Sequence, residues 1–177
     1  MKELSSLAHR ELAAFVCEHL RSRGIDTVLT GGACVTIYTH NRYESMDLDF
    51  VNVSGATGKA VDAVLAEIGF LPEGRIYVNP KARYSVDILN PPLSIGAESI
   101  SAIHAIRVKK MELRLLSPTD SVRDRLAAFY FWKDLQALEQ AVMVAESNPV
   151  DLAVVEKWSK REGELAKFRI FRKKLGR

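Results

Sequence analysis

The pattern of apolar and polar positions divides the chain into short alternating elements followed by longer helical ones. A first helix is predicted near the N-terminus by apolar residues at helical spacing, and Gly24 would end it. These residues are Leu4, Leu7, Leu12, Phe15, Val16 and Leu20. A β-branched run over 25–30 predicts a strand, which Gly31 and Gly32 interrupt before an apolar stretch over 33–38 that predicts a short helix.

The middle of the chain predicts further strands and one helix. Residues 45–53 alternate as a strand does, and 57–68 carry apolar residues on one helical face, with Gly69 as the stop. A hairpin is predicted from 75–78 and 84–89, joined by a turn at Asn79, Pro80 and Lys81. Weaker strands are predicted over 103–108 and 112–116.

The last third of the chain predicts only helices. Ser117 as N-cap and Pro118 at the first helical position predict a helix start, and the helical pattern continues to about Ser147. Two more helical pieces follow, with a break near Gly163. We therefore expect an α/β (α+β) fold with two domains, an α/β core over 1–116 and a C-terminal helical region over 117–177.

Carboxylates provide the main candidate chemistry. Along the strand over 45–53, alternation places Asp47 and Asp49 on one face, about 6.6 Å apart along the backbone. Two like charges so close would repel unless a cation lay between them, and Mg²⁺ prefers such oxygen ligands together with substrate phosphates. Asp87 faces away from the apolar side of its own strand. If the two strands are neighbours, three carboxylates converge and could hold two metal ions for displacement at phosphorus.

The glycine pair suggests a phosphate contact. Gly31 and Gly32 lie between a strand and a helix, where free amides and the lack of side chains allow a backbone to approach an anion. A glycine pair alone is more often a simple tight turn. The order of strand, Gly-Gly, helix, Asp-x-Asp strand and later Asp is more informative than any of its parts.

Composition and charge restrict the class of protein. Of the 177 residues, 47% are hydrophobic and 27% charged, which excludes disordered and collagen-like chains. No apolar run is long enough to span a membrane and the N-terminus lacks the pattern of a signal peptide, so we expect a cytoplasmic protein without membrane contact. Cys17 and Cys34 are too few for a disulfide framework and are expected to be buried thiols.

Positive charge is concentrated at the C-terminus. From Lys157 to Arg177 there are nine Lys or Arg against Glu162 and Glu164, whereas the whole chain has a net charge of +3. Such a basic tail could bind the phosphate backbone of RNA, or it could be a solvated helix face.

The combined motif resembles the nucleotidyltransferase superfamily that shares the DNA polymerase beta fold. Within it, the segment LTGGACVTIYTHNRYESMDLDFV is most similar to AbiEii-type toxin nucleotidyltransferases and their uncharacterised bacterial relatives. The later segment LLSPTDSVRDRLAAFYFWKDLQAL also resembles that group, and the resemblance covers about 25–140. The chain departs from the group at Ala33, where Ser or Thr is frequent, at Arg125, where Lys is frequent, and in a slightly longer gap between Gly32 and Asp47.

The resemblance implies a role for each matched residue. Asp47, Asp49 and Asp87 would be the catalytic and metal-binding residues for two Mg²⁺ ions, with Mn²⁺ as a possible substitute. Nucleotide binding would fall to five residues at the glycine pair, in the following loop and in the later helical segment. These are Gly31, Gly32, Arg42, Ser45 and Lys133.

Two functional hypotheses follow. The first is a Mg²⁺-dependent enzyme that transfers a nucleoside monophosphate from ATP or another NTP to a hydroxyl of RNA (such as a tRNA end), a protein or a small molecule, with a toxin–antitoxin role as one biological setting. The second is a non-catalytic module that binds RNA or a protein partner. Among the remaining residues, His9 and His19 are expected on a helix surface, and Tyr130, Phe131, Trp132 and Trp158 in the core.

Overall fold

The chain forms a twisted mixed sheet with helices packed against it and a helical region after its last strand. The computed structural model describes residues 4–100 and 102–176. The helices are α1 (His9–Ser22), α2 (Gly31–Tyr38), α3 (Gly58–Glu67), α4 (Pro118–Trp132), α5 (Leu135–Ser147), α6 (Leu152–Arg161) and α7 (Leu165–Leu175). The strands are β1 (Thr27–Leu29), β2 (Asp47–Asn52), β3 (Leu71–Glu73), β4 (Ile76–Val78), β5 (Ser85–Leu89), β6 (Ser94–Ile95), β7 (Glu98–Ser99), β8 (His104–Val108) and β9 (Met111–Leu115).

Seven of the strands form one sheet in the order β3-β4-β5-β2-β1-β9-β8. The pairs β2–β5 and β1–β9 are parallel, and the other pairs in this sheet are antiparallel. Strands β6 and β7 form a separate small hairpin. The prediction of a mixed α/β architecture followed by helices is therefore confirmed, including the hairpin of β4 with β5.

The core lies between the sheet and the helices, and the amphipathic patterns explain its composition. Leu48 and Phe50 of β2 are fully buried, as are Leu12 and Leu20 of α1. Cys17 and Cys34 are buried and free, as predicted. Within the described ranges, no helix is long and apolar enough to cross a membrane. The cytoplasmic location and the division into two domains stay predictions.

The long helix predicted from Pro118 to about Ser147 is wrong, because the chain breaks into α4 and α5. The break is at Lys133, which adopts a left-handed backbone conformation with φ of 57°. Asp134 then caps α5, because its side chain accepts a hydrogen bond from the Ala137 amide. Neither Gly nor Pro marks the break, which is why periodicity alone continues through it.

Polar contacts join α2 to the residue that follows β9 and to the helical region. Tyr38 of α2 donates a hydrogen bond to the Leu116 carbonyl at 2.5 Å, and the Asn148 side chain donates one to the Tyr38 carbonyl at 2.9 Å. On α4, Arg123 is buried and stacks its guanidinium over the Trp158 ring at 5.2 Å. Trp158 is itself fully buried and Tyr130 is buried, as predicted, whereas Phe131 and Trp132 are exposed, so their predicted place in the core is wrong.

Arg123 also connects α4 to the β6–β7 hairpin. Its Nη1 lies 2.8 Å from an Asp120 carboxylate oxygen, and its Nη2 lies 3.0 Å from Glu98. Arg161 of α6 pairs with the same Glu98 from a more exposed position. Removal of this buried cation would leave the Asp120 carboxylate without its ion-pair partner, whereas the partly exposed Glu98 would keep Arg161.

We expect Arg123→Ala to lower the free energy of unfolding by about 3–5 kcal/mol, because it leaves the Asp120 carboxylate without its cation and removes a buried side chain that packs on Trp158. Arg161→Ala is the matched control, since it removes an exposed partner of the same carboxylate and should cost less than about 1 kcal/mol. Urea unfolding followed by circular dichroism measures both values. Equal losses in the two variants would contradict a structural role of the buried pair.

Candidate functional site

The parallel pairing of β2 with β5 brings the three predicted aspartates to one edge of the sheet. In this register Asp49 is directly opposite Asp87, and Asp47 is opposite Ser85. Neighbouring strands are about 4.8 Å apart, so the directly opposed side chains lie on one face and within reach of each other. The conditional prediction that the two strands are neighbours is therefore confirmed.

The three carboxylates differ in exposure and in partners. Asp47 is exposed and accepts a hydrogen bond from Ser45 Oγ at 2.7 Å. Asp87 is half-buried, and one of its carboxylate oxygens lies 3.7 Å from the guanidinium of the exposed Arg75. Asp49 is half-buried between the other two. Within residues 4–100 and 102–176, no three His, Cys, Asp or Glu side chains are arranged to hold a metal ion as they stand.

The environment of Asp49 disfavours its charged form. Burial raises the pKa of this carboxyl from its ordinary value of 3.8 to about 6, and the charges of Asp47 and Asp87 contribute to the rise. Arg125 opposes the rise, whereas Asp124 adds to it. A divalent cation would offset both the desolvation and the repulsion, and three carboxylates are the hard oxygen donors that Mg²⁺ prefers. The donor set therefore fits the predicted metal, although its binding stays a prediction.

The glycine pair borders these carboxylates. Gly31 begins α2 with φ of +64°, and a Cβ at this position would lie 2.5 Å from Asp49 Oδ2. A Cβ on Gly32 would lie 3.1 Å from Ser45 Oγ. The Asp49 carbonyl accepts a hydrogen bond from the Thr30 amide at 2.8 Å, which fixes the start of α2 beside β2. Side chains are thus excluded from the backbone next to the carboxylates.

Two other predicted nucleotide-binding residues have different surroundings. Arg42 is exposed and contacts the end of α5, where its guanidinium lies 3.5 Å from Glu146 and 3.3 Å from Ser147 Oγ. Lys133 is exposed at the break between α4 and α5. The structure thus groups Gly31, Gly32 and Ser45 with the aspartates, while Arg42 lies at the C-terminal end of α5 and Lys133 lies just before its first residue.

Helix α4 contributes two neighbouring charged residues, Asp124 and Arg125, of which the sequence motif includes only Arg125. Arg125 donates hydrogen bonds to the Asp124 carboxylate at 2.6 and 2.9 Å, and its Nη1 lies 3.4 Å from Gln140 Oε1. The charges of both residues act on the pKa of Asp49, Arg125 lowering it and Asp124 raising it. The sequence does not predict Asp124 as a site residue, because an acid beside an arginine on a helix is usually a surface pair.

The prediction that His9 lies on a helix surface is wrong. The residue is 2% exposed, its ring contacts the Tyr84 ring edge-on at 4.9 Å, and neither nitrogen has a hydrogen-bond partner among the described residues. Burial lowers the pKa of His9 to about 4, against the opposing influence of Glu44 and Asp47. Tyr84 donates a hydrogen bond to Glu44. His19 is partly buried and pairs with Glu67.

Comparison with known proteins bears on the fold. No protein-family model and no curated protein sequence matches the chain. A crystal structure of an antigenic nucleotidyltransferase-like protein from Paracoccidioides brasiliensis aligns over 94% of this chain and 94% of that chain, with 12% identity and a TM-score of 0.58. The chain has a nucleotidyltransferase-like fold.

A second solved structure is more distant. The antibiotic-resistance factor ANT(2'')-Ia, known from a solution structure, aligns over 91% of both chains with 13% identity and a TM-score of 0.48. The nucleotidyltransferase-like fold agrees with the superfamily that the sequence motif resembles. Particular closeness to the AbiEii-type group stays a prediction.

The raised pKa of Asp49 predicts that replacing this residue by Asn stabilises the protein, and that the stabilisation depends on pH. Asp49→Asn should raise the free energy of unfolding of the metal-free protein at neutral pH by about 1–3 kcal/mol, because one pKa unit corresponds to about 1.4 kcal/mol. The gain should be absent below about pH 4, where the carboxyl is protonated in the folded and unfolded chains alike, and should grow as pH rises to about 6.

Urea unfolding in the presence of a chelator, repeated across this pH range, tests the expectation. Glu156→Gln, which changes an exposed carboxylate on α6, is the control and should show no such rise. A stability difference for Asp49→Asn that stays constant with pH would contradict the raised pKa.

Gly31→Ala should separate backbone strain from displacement of Asp49. The left-handed conformation should cost about 1–2 kcal/mol of stability, and the Asp49 carboxylate must rotate away from the new Cβ. Gly55→Ala is the matched control, since Gly55 has φ of +73° and an added Cβ there would meet no atom within 4 Å. Both variants should lose similar stability, but only Gly31→Ala should weaken Mn²⁺ binding, by about 10-fold or more. Calorimetric Mn²⁺ titration measures this, and equal Mn²⁺ affinity in the two variants would contradict it.

Proposed function

We propose that the chain is a metal-dependent nucleotidyltransferase that transfers a nucleoside monophosphate from an NTP to a hydroxyl group and releases pyrophosphate. The observation that carries this proposal is the register of β2 with β5, which sets Asp49 opposite Asp87 on the face that also bears Asp47, beside Gly31. The nucleotidyltransferase-like fold supports it.

The residues have distinct parts in this reaction. Asp47 and Asp49 would hold divalent cations, and Asp87 would share one of them and accept the proton of the attacking hydroxyl. The chemistry that bound Mg²⁺ supplies is neutralisation of the charge that develops around the α-phosphorus and on the leaving pyrophosphate. The backbone at Gly31 and Gly32 would lie against the triphosphate, because no side chain keeps an anion away from it.

Ser45 has a positioning part. It is 4% exposed, its amide donates a hydrogen bond to Thr36 Oγ1 at 2.9 Å, and its hydroxyl donates one to Asp47. This contact orients one carboxylate oxygen of Asp47 and leaves the other free for a cation. Arg42 and Lys133 stay proposals as triphosphate contacts, from opposite ends of α5.

The acceptor is proposed by class only. Several cations of the basic tail have partners within the chain: Lys167 pairs with Glu164, Lys174 with Glu139, and Arg172 lies over the Phe168 ring. RNA, a protein hydroxyl and a small molecule all stay proposals, as does a toxin–antitoxin role. The non-catalytic alternative is less favoured, since a binding module has no need of a half-buried carboxylate between two others.

Transfer of label from α-labelled NTPs in the presence of Mg²⁺, with total RNA and then total protein as acceptors, tests the proposal. Wild type should label one acceptor class, and Asp47→Asn should reduce the rate by about 100-fold or more. Mg²⁺ and NTP together should also raise the melting temperature of wild type by mass action.

Asp26→Asn is the matched control. Asp26 precedes β1, at the end of that strand away from Gly31, and pairs with Arg114 at 2.8 Å. Its loss should leave labelling and NTP-dependent stabilisation unchanged. Absence of both labelling and stabilisation in wild type would contradict the enzymatic proposal and favour the binding module.

A further inference from the structure

Glu44 lies three residues before Asp47, in the loop that leads into β2, and both of its carboxylate oxygens are bound by residues just before β5. Oε1 accepts a hydrogen bond from the Tyr84 hydroxyl, and Oε2 accepts one from Arg83 Nη2 at 3.0 Å. The Arg83 guanidinium also lies over the Tyr84 ring, 5.4 Å from its centroid. We call Glu44, Arg83 and Tyr84 the strand-end clamp, because their contacts join the chain before β2 to the chain before β5.

The buried residue of the strand-end clamp is Tyr84. It is 4% exposed, and the His9 ring contacts its ring edge-on at 4.9 Å. Burial and the hydrogen bond to Glu44 raise the pKa of the Tyr84 hydroxyl, so this group stays a neutral donor at physiological pH. Glu44 itself is exposed. A fixed ring therefore restrains a carboxylate that would otherwise sample many positions in solvent.

Short contacts continue from the strand-end clamp to Asp47. The Met46 carbonyl accepts a hydrogen bond from the Ser85 amide at 3.1 Å, and the Ser45 hydroxyl donates one to Asp47 at 2.7 Å. Asp47 is the first residue of β2 and is paired with Ser85 in the register. Because the end of a strand opens more easily than its middle, contacts just before β2 restrain the position of this carboxylate.

We infer that Glu44 is a positioning residue of the candidate metal site, because its bonds to Tyr84 and Arg83 hold the Asp47 carboxylate beside Asp49 and Asp87. Glu44 acts through the chain that joins it to Asp47 and does not itself bind the cation. The inference rests on the proposed function, in which Asp47 holds a divalent cation. Residues that orient a metal ligand from outside typically contribute about 10- to 100-fold to metal affinity.

Two phenylalanine variants test the inference, because each removes one hydrogen bond from a tyrosine to a carboxylate and changes no charge. Tyr84→Phe releases Glu44. Tyr77→Phe is the matched control, since Tyr77 of β4 donates a hydrogen bond to Asp62 of α3 at 2.7 Å, a contact that includes no residue of the segment before Asp47. Both variants should lose similar thermal stability. Only Tyr84→Phe should weaken Mn²⁺ binding, by about 10-fold or more, in calorimetric titration of the full-length protein.

A double-mutant cycle distinguishes positioning from the charge of Glu44. If Glu44 acts through Tyr84, the double variant Glu44→Ala/Tyr84→Phe should bind Mn²⁺ about as well as Glu44→Ala alone, whereas independent effects would add. Glu18→Ala is the control for loss of a bound carboxylate. The Glu18 oxygens accept hydrogen bonds from Arg21 and from the Glu112 amide, and its loss should leave Mn²⁺ affinity unchanged.

The outcomes separate this inference from the function on which it rests. Wild-type Mn²⁺ affinity in Tyr84→Phe, or additive losses in the double variant, would overturn the positioning role alone. Failure of wild type to bind Mn²⁺ would overturn the metal site of the proposed function, and the positioning role with it. Equal weakening by Tyr84→Phe and Tyr77→Phe would assign the effect to a general loss of stability and would also overturn positioning. Should Tyr84→Phe fail to fold, Glu44→Ala decides, and an Mn²⁺ affinity equal to that of Glu18→Ala would overturn the inference.

Discussion

The parallel pairing of β2 with β5 is the constraint on which the candidate site depends. Parallel strands cannot be joined by a tight turn, and here α3 and the β3–β4 hairpin supply the crossing. A shift of one residue in β2 would turn Leu48 and Phe50, both fully buried, towards the opposite face. Burial of these two side chains therefore fixes the place of Asp47 and Asp49 on the other face.

The same register places a destabilising group in the folded chain. Asp49 is half-buried beside two like charges, so the metal-free protein loses stability when this carboxyl ionises. The backbone around Asp49 accommodates its side chain. Gly31 has no Cβ that would collide with the carboxylate, and the Thr30 amide donates a hydrogen bond to the Asp49 carbonyl. In the proposed function a bound cation offsets this cost, so the stability of the metal-free protein and the proposed activity should oppose each other at this residue.

The sequence could predict what periodicity and local chemistry determine. Alternation indicated the strand of Asp47 and Asp49 and the face that both share, because burial on one side of a strand imposes a period of two. The break at Lys133 could not be predicted, since neither Gly nor Pro marks it and the backbone strain depends on how α5 packs. Burial of His9 and exposure of Trp132 depend equally on which neighbours cover a helix face, and single positions carry no sign of that.

Helix α4 explains why the helical region is more than an appendage to the sheet. One side of α4 is held by Arg123, whose buried charge joins the β6–β7 hairpin and Trp158. On the same helix, the neighbouring charges of Asp124 and Arg125 act on the pKa of Asp49. The buried contacts of Arg123 restrict the position of α4 and therefore the positions of Asp124 and Arg125 on the same helix. In this way Arg123 contributes to the electrostatics around Asp49 without contacting it.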